Sequence, residues 1–444
     1  MPDRLWIKDP LAIFAEGAER GLVIEGRRIA ELVPAGTTPA DIATIFEAAR
    51  HVVLPGLVNT HHHFYQTLTR AHPAAINKRL FPWLEALYPI WSRLTPDTFR
   101  PAVRIALVEL LLSGCTTAAD HHYVYPAGLE LAVDLEVEAA REIGIRMTVT
   151  RGSMNLSQKD GGLPPDSVVQ DEETILADCE RVLSLFHDRS PGADIQIGLA
   201  PCSPFSVTKR LMSETAALAE RFDCPLHTHL AETKDEERFC IERYACRPVD
   251  LLEETGWLTP RTWLAHGVHF DDAEVGRLGR HGLGICHCAA SNMVLASGIC
   301  RTVELETAGA KVGLGVDGSA SNDSSNMMEA LRYALMIGRL RYGADAITHS
   351  DVIRWGTEGS ARCIGRSDIG RLAPRYEADL AFFTLEEPRF AGAHDPLAAL
   401  ILCGATRADR VMVGGRWRVE DGAPVGIDLA KLIADQRQAA RRFA

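Results

Sequence analysis

Several features are missing from this 444-residue chain, and each absence removes a class of function. There is no run of 18 uninterrupted apolar residues, and the opening MPDRLWIKDPLAIF has no basic head before an apolar core. Neither a membrane-spanning helix nor a secretory leader is expected, and a cytoplasmic protein is. Basic residues are in deficit, 47 against 59 acidic ones, for a formal charge of −12. Such a chain repels phosphate backbones and anionic bilayers, so neither nucleic acid nor a membrane is an expected partner. No CxxC pair occurs; the 11 cysteines are scattered singly from Cys115 to Cys403 apart from Cys286-His287-Cys288. Scattered thiols in odd number suit reduced, buried side chains better than a disulfide framework. Also absent are a P-loop, a GxSxG elbow and the H-x-E with P-C-x-x-C signature of one zinc deaminase class.

What is present is ordinary globular material, 46% hydrophobic and 24% charged, enough for a large core. Eight short apolar segments read as strands: 51–58, 116–120, 145–151, 195–201, 225–230, 262–266, 283–287 and 311–317. Helical periodicity fills the gaps, as at 101–114, 134–144 and 326–343. Strand and helix alternating eight times is the sequence form of a parallel (β/α)8 TIM barrel, an α/β fold. Both ends differ from this middle. GLVIEGRRIAELV (21–33), ADLAFFTL (378–385) and ADRVMVGGRWRVEDG (408–422) read as hairpin strands. The expected organisation is a small β-sandwich domain from 1–52 with 371–425, a barrel over 53–370, and a C-terminal helix over 426–444. Segment 155–173, rich in Gly, Pro and polar residues, has the length of a lid.

The stretch LPGLVNTHHHFYQ (54–66) puts three histidines at the end of an apolar run. Side chains two apart on a strand share a face, so His61 and His63 pair while His62 turns away. His229 closes the fifth strand candidate, His266 the sixth and Asp317 the eighth. All five fall at the carboxyl ends of strands, the rim where barrels of this kind place their chemistry. Imidazoles and a carboxylate make a nitrogen and oxygen set for one divalent metal, zinc first and iron second. Such an ion lowers the pKa of a bound water toward neutrality, making hydroxide available for attack. Glu232, three residues after His229, is positioned as the general base, and His266 as a group that orients or polarises. Between His122 and His229 the only lysines are Lys159 and Lys209, so no lysine is available on the fourth strand to bridge two metals. Cys286 and Cys288 are read as core packing.

These motifs together resemble the amidohydrolase superfamily and its cytosine-deaminase-like branch. PGLVNTHHH, HLAET, LAHGVH, SNMVLASG and GVDGSASND stand in the expected order, and the resemblance spans nearly the whole chain. It implies metal binding by His61, His63, His229 and Asp317, proton shuttling by Glu232, and catalytic support from His266 and Asp317. More narrowly, NTHHHFYQTLTRA, SGCTTAADHHY, TRGSM and LAPCSPFSVT are similar to the bacterial 8-oxoguanine deaminases. That implies hydrolytic loss of an exocyclic amine from a small purine substrate, with Gln66 on its amide edge. A flat purine in the barrel mouth would have aromatic neighbours such as Trp83 or Tyr123, residues that plain packing would place there equally well. The resemblance also implies a homo-oligomer, a dimer or larger. Two positions depart from the pattern: Ala289 stands where relatives usually carry proline, and no glycine precedes the ADL strand. Rival activities on the same site are deamination of guanine, isoxanthopterin or cytosine, or hydrolysis of a triazine. A rival of another class is a binding protein without turnover.

Overall fold

The computed structural model describes residues 4–444. Its centre is a sheet of eight parallel strands in sequential order: β1 (Leu57–Asn59), β2 (Cys115–His122), β3 (Arg146–Ser153), β4 (Ile195–Pro201), β5 (Leu226–Leu230), β6 (Thr262–His266), β7 (Gly284–His287) and β8 (Lys311–Leu314). The two edges meet without a full ladder. Thr60 N–H donates to the Leu314 carbonyl at 3.1 Å and Asp317 N–H to the His61 carbonyl at 3.0 Å. Every barrel strand but β4 and β8 is buried at each residue, which is why these segments lack the alternation of buried and exposed residues of a one-sided sheet.

The first expected strand divides in two. His51–Pro55 pairs antiparallel with Leu380–Thr384 in a six-stranded sheet, and only Leu57–Asn59 enters the barrel. Gly56 makes the handover: a Cβ there would lie 2.1 Å from the Thr116 hydroxyl. The remaining terminal strands are Arg4–Lys8, Gly21–Glu25, Arg28–Leu32 and Thr44–Glu47 in one sheet, with Ala12–Ile13, Arg410–Val413, Arg416–Glu420 and Ala423–Pro424 completing the other. Gly414 and Gly415, with φ of 52° and 74°, form the expected two-residue hairpin turn.

Segment 155–173 is not a free flap over the barrel. Asn155 and Leu156 N–H groups both donate to the Ser206 carbonyl, Leu163 N–H to that of Phe205, and Gln170 N–H to that of Met154. Leu156 and Val168 are buried beneath it. The segment acts as a brace for 203–206, and none of its residues lines the barrel-mouth pocket. No described helix is long and apolar enough to cross a membrane.

Candidate active site and metal centre

β1 stops at Asn59, yet the chain continues extended and keeps its alternation, so His61 and His63 both face the barrel axis with ring centroids 4.7 Å apart. His62 faces outward, its Nε2 2.8 Å from the Ser325 hydroxyl. His229 arrives from β5 and stacks against His266 of β6 at 5.5 Å. Asp317 follows β8. The sequence-predicted rim residues therefore share one site.

The tautomer of each ring can be derived from its outer partner. His63 Nδ1 lies 2.7 Å from the His121 carbonyl oxygen, and His229 Nδ1 2.7 Å from that of Cys202. A carbonyl can only accept, so each Nδ1 carries the proton and each Nε2 presents a lone pair. His61 is set through a relay. His227 Nδ1 donates to the Trp263 carbonyl at 2.9 Å, leaving its Nε2 to accept from His61 Nδ1 at 2.8 Å. His61 Nε2 is thereby also bare, and it is buried without a hydrogen-bond partner.

Three lone pairs converge. His63 Nε2 and His229 Nε2 are 3.1 Å apart, and Asp317 Oδ1 lies 3.4 Å from His61 Nε2 and 3.3 Å from His63 Nε2. His63 Nε2 thus touches both His229 Nε2 and Asp317 Oδ1, which also touches His61 Nε2, and acceptors this close repel unless a cation sits among them. Ligand atoms bound roughly 2.0–2.1 Å from one tetrahedral ion are themselves separated by about 3.3–3.4 Å. The residues present thus fit a single divalent metal. Burial holds the imidazoles of His61, His63 and His229 below the ordinary histidine range, which keeps them neutral and able to ligate. For Asp317, burial opposes the charged form, but the surrounding imidazoles of His61, His266 and His63 outweigh it and hold the carboxyl well below its usual range.

The catalytic candidates lie beside this centre. Glu232, buried, has Oε2 3.5 Å from His266 Nε2, while its Oε1 accepts from the Ser297 hydroxyl at 3.2 Å. Burial raises the Glu232 carboxyl, with the neighbouring His266 partly opposing. His266 shifts the other way: burial disfavours its imidazolium, but Glu232 and Asp317 prevail and raise it. Its Nδ1 is fixed 3.0 Å from Asn292 Oδ1, and its Nε2 lies 3.8 Å from Asp317 Oδ2. His266 and Asp317 have φ of 73° and 67°, left-handed values that cost a non-glycine residue of order 1 kcal/mol each. Two strained residues on one metal rim mark a place where geometry is imposed by the fold.

A pocket opens over these groups, lined by Trp83, Tyr123, Phe205 and Leu295 together with His63, Glu232 and Asp317. Gln66 also lines it, on the 3-10 turn Phe64–Thr69, with Oε1 accepting from Ala320 N–H at 3.3 Å. Cys286 and Cys288, with sulfurs 3.6 Å apart, pack in a buried cluster with Val58 and Trp263 instead.

Sequence reasoning missed the orienting residues. His121 was lost because the second strand was ended at 120; it stacks on His229 at 4.7 Å and its Nε2 donates to the Ala200 carbonyl at 3.0 Å. His227 was within reach, since His227 and His229 obey the same two-residue alternation as His61 and His63. Glu236 was also missed: its buried carboxylate accepts the N–H groups of Ala231 at 2.7 Å and Glu232 at 3.1 Å.

The amidohydrolase family model matches residues 52–418. The chain belongs to the amidohydrolase family. Among curated relatives of this family, it is 62% identical to the 8-oxoguanine deaminase of Pseudomonas aeruginosa, covering 98% of each chain. It is 35% identical to an isoxanthopterin deaminase from an unknown prokaryotic organism, over 90% of this chain and 87% of that one. Among solved amidohydrolase structures, atrazine chlorohydrolase from Arthrobacter aurescens TC1, complexed with zinc, superposes with a TM-score of 0.93 at 30% identity, covering 98% of this chain and 100% of that one.

Proposed function

We propose that this chain is a hydrolytic purine deaminase that converts 8-oxoguanine and water to urate and ammonia. The observation that carries this reading is the 62% identity to an 8-oxoguanine deaminase over 98% of both chains. The metal would be held by His61, His63, His229 and Asp317, a nitrogen and oxygen set suited to zinc, with ferrous iron the alternative. When bound, such an ion supplies Lewis acidity that brings a water's pKa toward neutrality.

The chain's own residues supply the rest. Trp83 and Tyr123 border the flat ring, and Gln66 meets its amide edge. Glu232, raised by burial, takes a proton from the incoming water and delivers it to the purine, whose exocyclic amine departs as ammonia. His266, held by Asn292, directs its Nε2 toward the attacking oxygen and steadies it during addition. Asp317 Oδ2 takes the second proton from the oxygen now bonded to carbon and passes it on to the amine, so that the C–N bond breaks, ammonia leaves and the carbonyl forms. The unpaired state of all 11 cysteines supports a reducing, cytoplasmic setting. The working unit is a homodimer; Tyr333, Met336 and Leu340 form an exposed apolar face available to it.

The test is ammonia release from 8-oxoguanine, guanine, isoxanthopterin, cytosine and a hydroxytriazine. The kcat/KM for 8-oxoguanine should exceed the others by roughly a hundredfold, the discrimination one matched polar group can give. A higher value for any of the others overturns the substrate. Glu232→Gln should retain metal while losing about 10²–10⁴-fold in kcat; retained turnover contradicts its role.

A further inference from the structure

A second group of buried ionisable side chains lies outside the barrel and takes no part in the chemistry above. Asp120 and His122 lie on β2 and alternate with the inward-facing His121, so they point toward the helix layer. There they meet Glu136 of the helix Ala132–Ile143. One ligand-type atom from each of the three lies within 4.8 Å of the other two, and all three residues are at most 1% exposed.

Polar atoms in this cluster lack partners to an unusual degree. Both nitrogens of His122 are buried without a partner, and the buried Glu136 oxygens and Oδ2 of Asp120 have none beyond one another. Asp120 Oδ1 accepts from Phe64 N–H at 2.7 Å. Among the described residues no lysine or arginine pairs with either carboxylate. The cation closest in influence, Arg151, is committed to Asp178 at 2.6 Å and to Gln170 at 2.8 Å, and lies 4.0 Å over the Tyr125 ring. Rings of Phe99, Tyr125 and Tyr65 surround His122 at 4.6, 4.8 and 5.4 Å. Two carboxylates in such a dry, uncompensated place need either a shared proton or a cation. A proton between Asp120 and Glu136 would still leave both His122 nitrogens idle, whereas a neutral imidazole in a protein core ordinarily uses both.

We infer that Asp120, His122 and Glu136 form a second, structural divalent-metal site between β2 and the helix that follows it. Two carboxylates and a neutral imidazole balance the charge of one such ion, and the mixed oxygen and nitrogen set suits zinc or manganese. Burial, which pushes the Asp120 and Glu136 carboxyls up in the bare protein, is the force that a cation at this position would relieve. The ion would brace the strand whose His121 carbonyl orients His63, and whose Asp120 holds the start of the Gln66 turn.

The test is zinc alone, added to chelator-stripped full-length protein. Bound zinc, counted by mass spectrometry after gel filtration, should reach two equivalents per chain in the wild type. It should fall to one in His61→Ala/His63→Ala, and to one in Glu136→Gln. An anomalous difference map at the zinc edge, on wild-type crystals, should show a peak among these three side chains. One equivalent in the wild type, none in His61→Ala/His63→Ala, and a flat map at Glu136 would overturn the site and leave a proton-sharing carboxyl pair in its place. The map decides the matter if Glu136→Gln does not fold.

Discussion

At Gly318 the space for a side chain is already taken. A Cβ there would fall 1.9 Å from Gln66 Oε1 and 2.3 Å from its Cδ, with no backbone atom among its three nearest neighbours. Gly318→Ala should therefore swing Gln66 away from the pocket while leaving the fold and the adjacent Asp317 in place. KM for the purine should rise roughly tenfold, the worth of one hydrogen bond, with metal content unchanged. An unaltered KM would remove Gln66 from the substrate contact. At this scale the rim residues were legible in sequence because each lies at or just past the carboxyl end of a strand, and strand ends of a barrel share one rim. Their orienters were not: the Cys202 and Trp263 carbonyls that fix His229 and His227 are backbone atoms with no sequence signature.

At the scale of elements, the junction after β5 shows how the Glu232 carboxylate, the proposed proton carrier, is aimed. Ala231 is left-handed at φ 52°, and Glu236, in the first turn of the helix Lys234–Tyr244, accepts the N–H groups of Ala231 and Glu232 together. An amide offers one acceptor oxygen where a carboxylate offers two. Glu236→Gln should lose one of these bonds and turn a donor toward an N–H. The expected effect is a fall in kcat of about 10–100-fold, with KM and metal content held, because small misplacements of a catalytic group are costly. If kcat stays unchanged, the clamp does not position Glu232. The strands and helices themselves were legible from apolar runs and 3.6-residue periodicity, and most ends agree within two residues. The expected strand 311–317 stops at Leu314, the expected helix 101–114 starts at Pro96, and 51–58 is shared by two sheets; periodicity cannot locate that handover at Gly56, which follows from tertiary packing against Thr116.

For the whole molecule, the terminal sheets are bound to the barrel by charge as well as by core. Arg146, fully buried at the start of β3, reaches the carboxylates of Asp379, Glu377 and Asp194 and the carbonyls of Gly192 and Ala193. Arg366 joins the same loop through the Ala193 carbonyl and pairs with Asp368 at 2.7 Å, which in turn accepts from Gly192 N–H at 2.6 Å. Burial alone would raise the Asp368 carboxyl, but the bond and charge of Arg366 pull it down to about 2. A folded value below the unfolded one stabilises the fold at every pH above about 4 and is lost as pH falls from there toward 2. Asp368→Asn should cost on the order of 1–2 kcal/mol at pH 7 by urea unfolding, and the difference from wild type should shrink steadily below pH 4. A pH-independent difference would assign the loss to packing. None of this network was legible in sequence, since its members are up to 233 positions apart.

The proposed deamination requires one divalent ion held by His61, His63, His229 and Asp317, and the most direct measurement is turnover against metal content on the same sample. Protein stripped by chelator to below a tenth of an equivalent at the rim should release no ammonia from 8-oxoguanine, and one equivalent of zinc at that site should restore the rate. Full turnover in the stripped protein would contradict it.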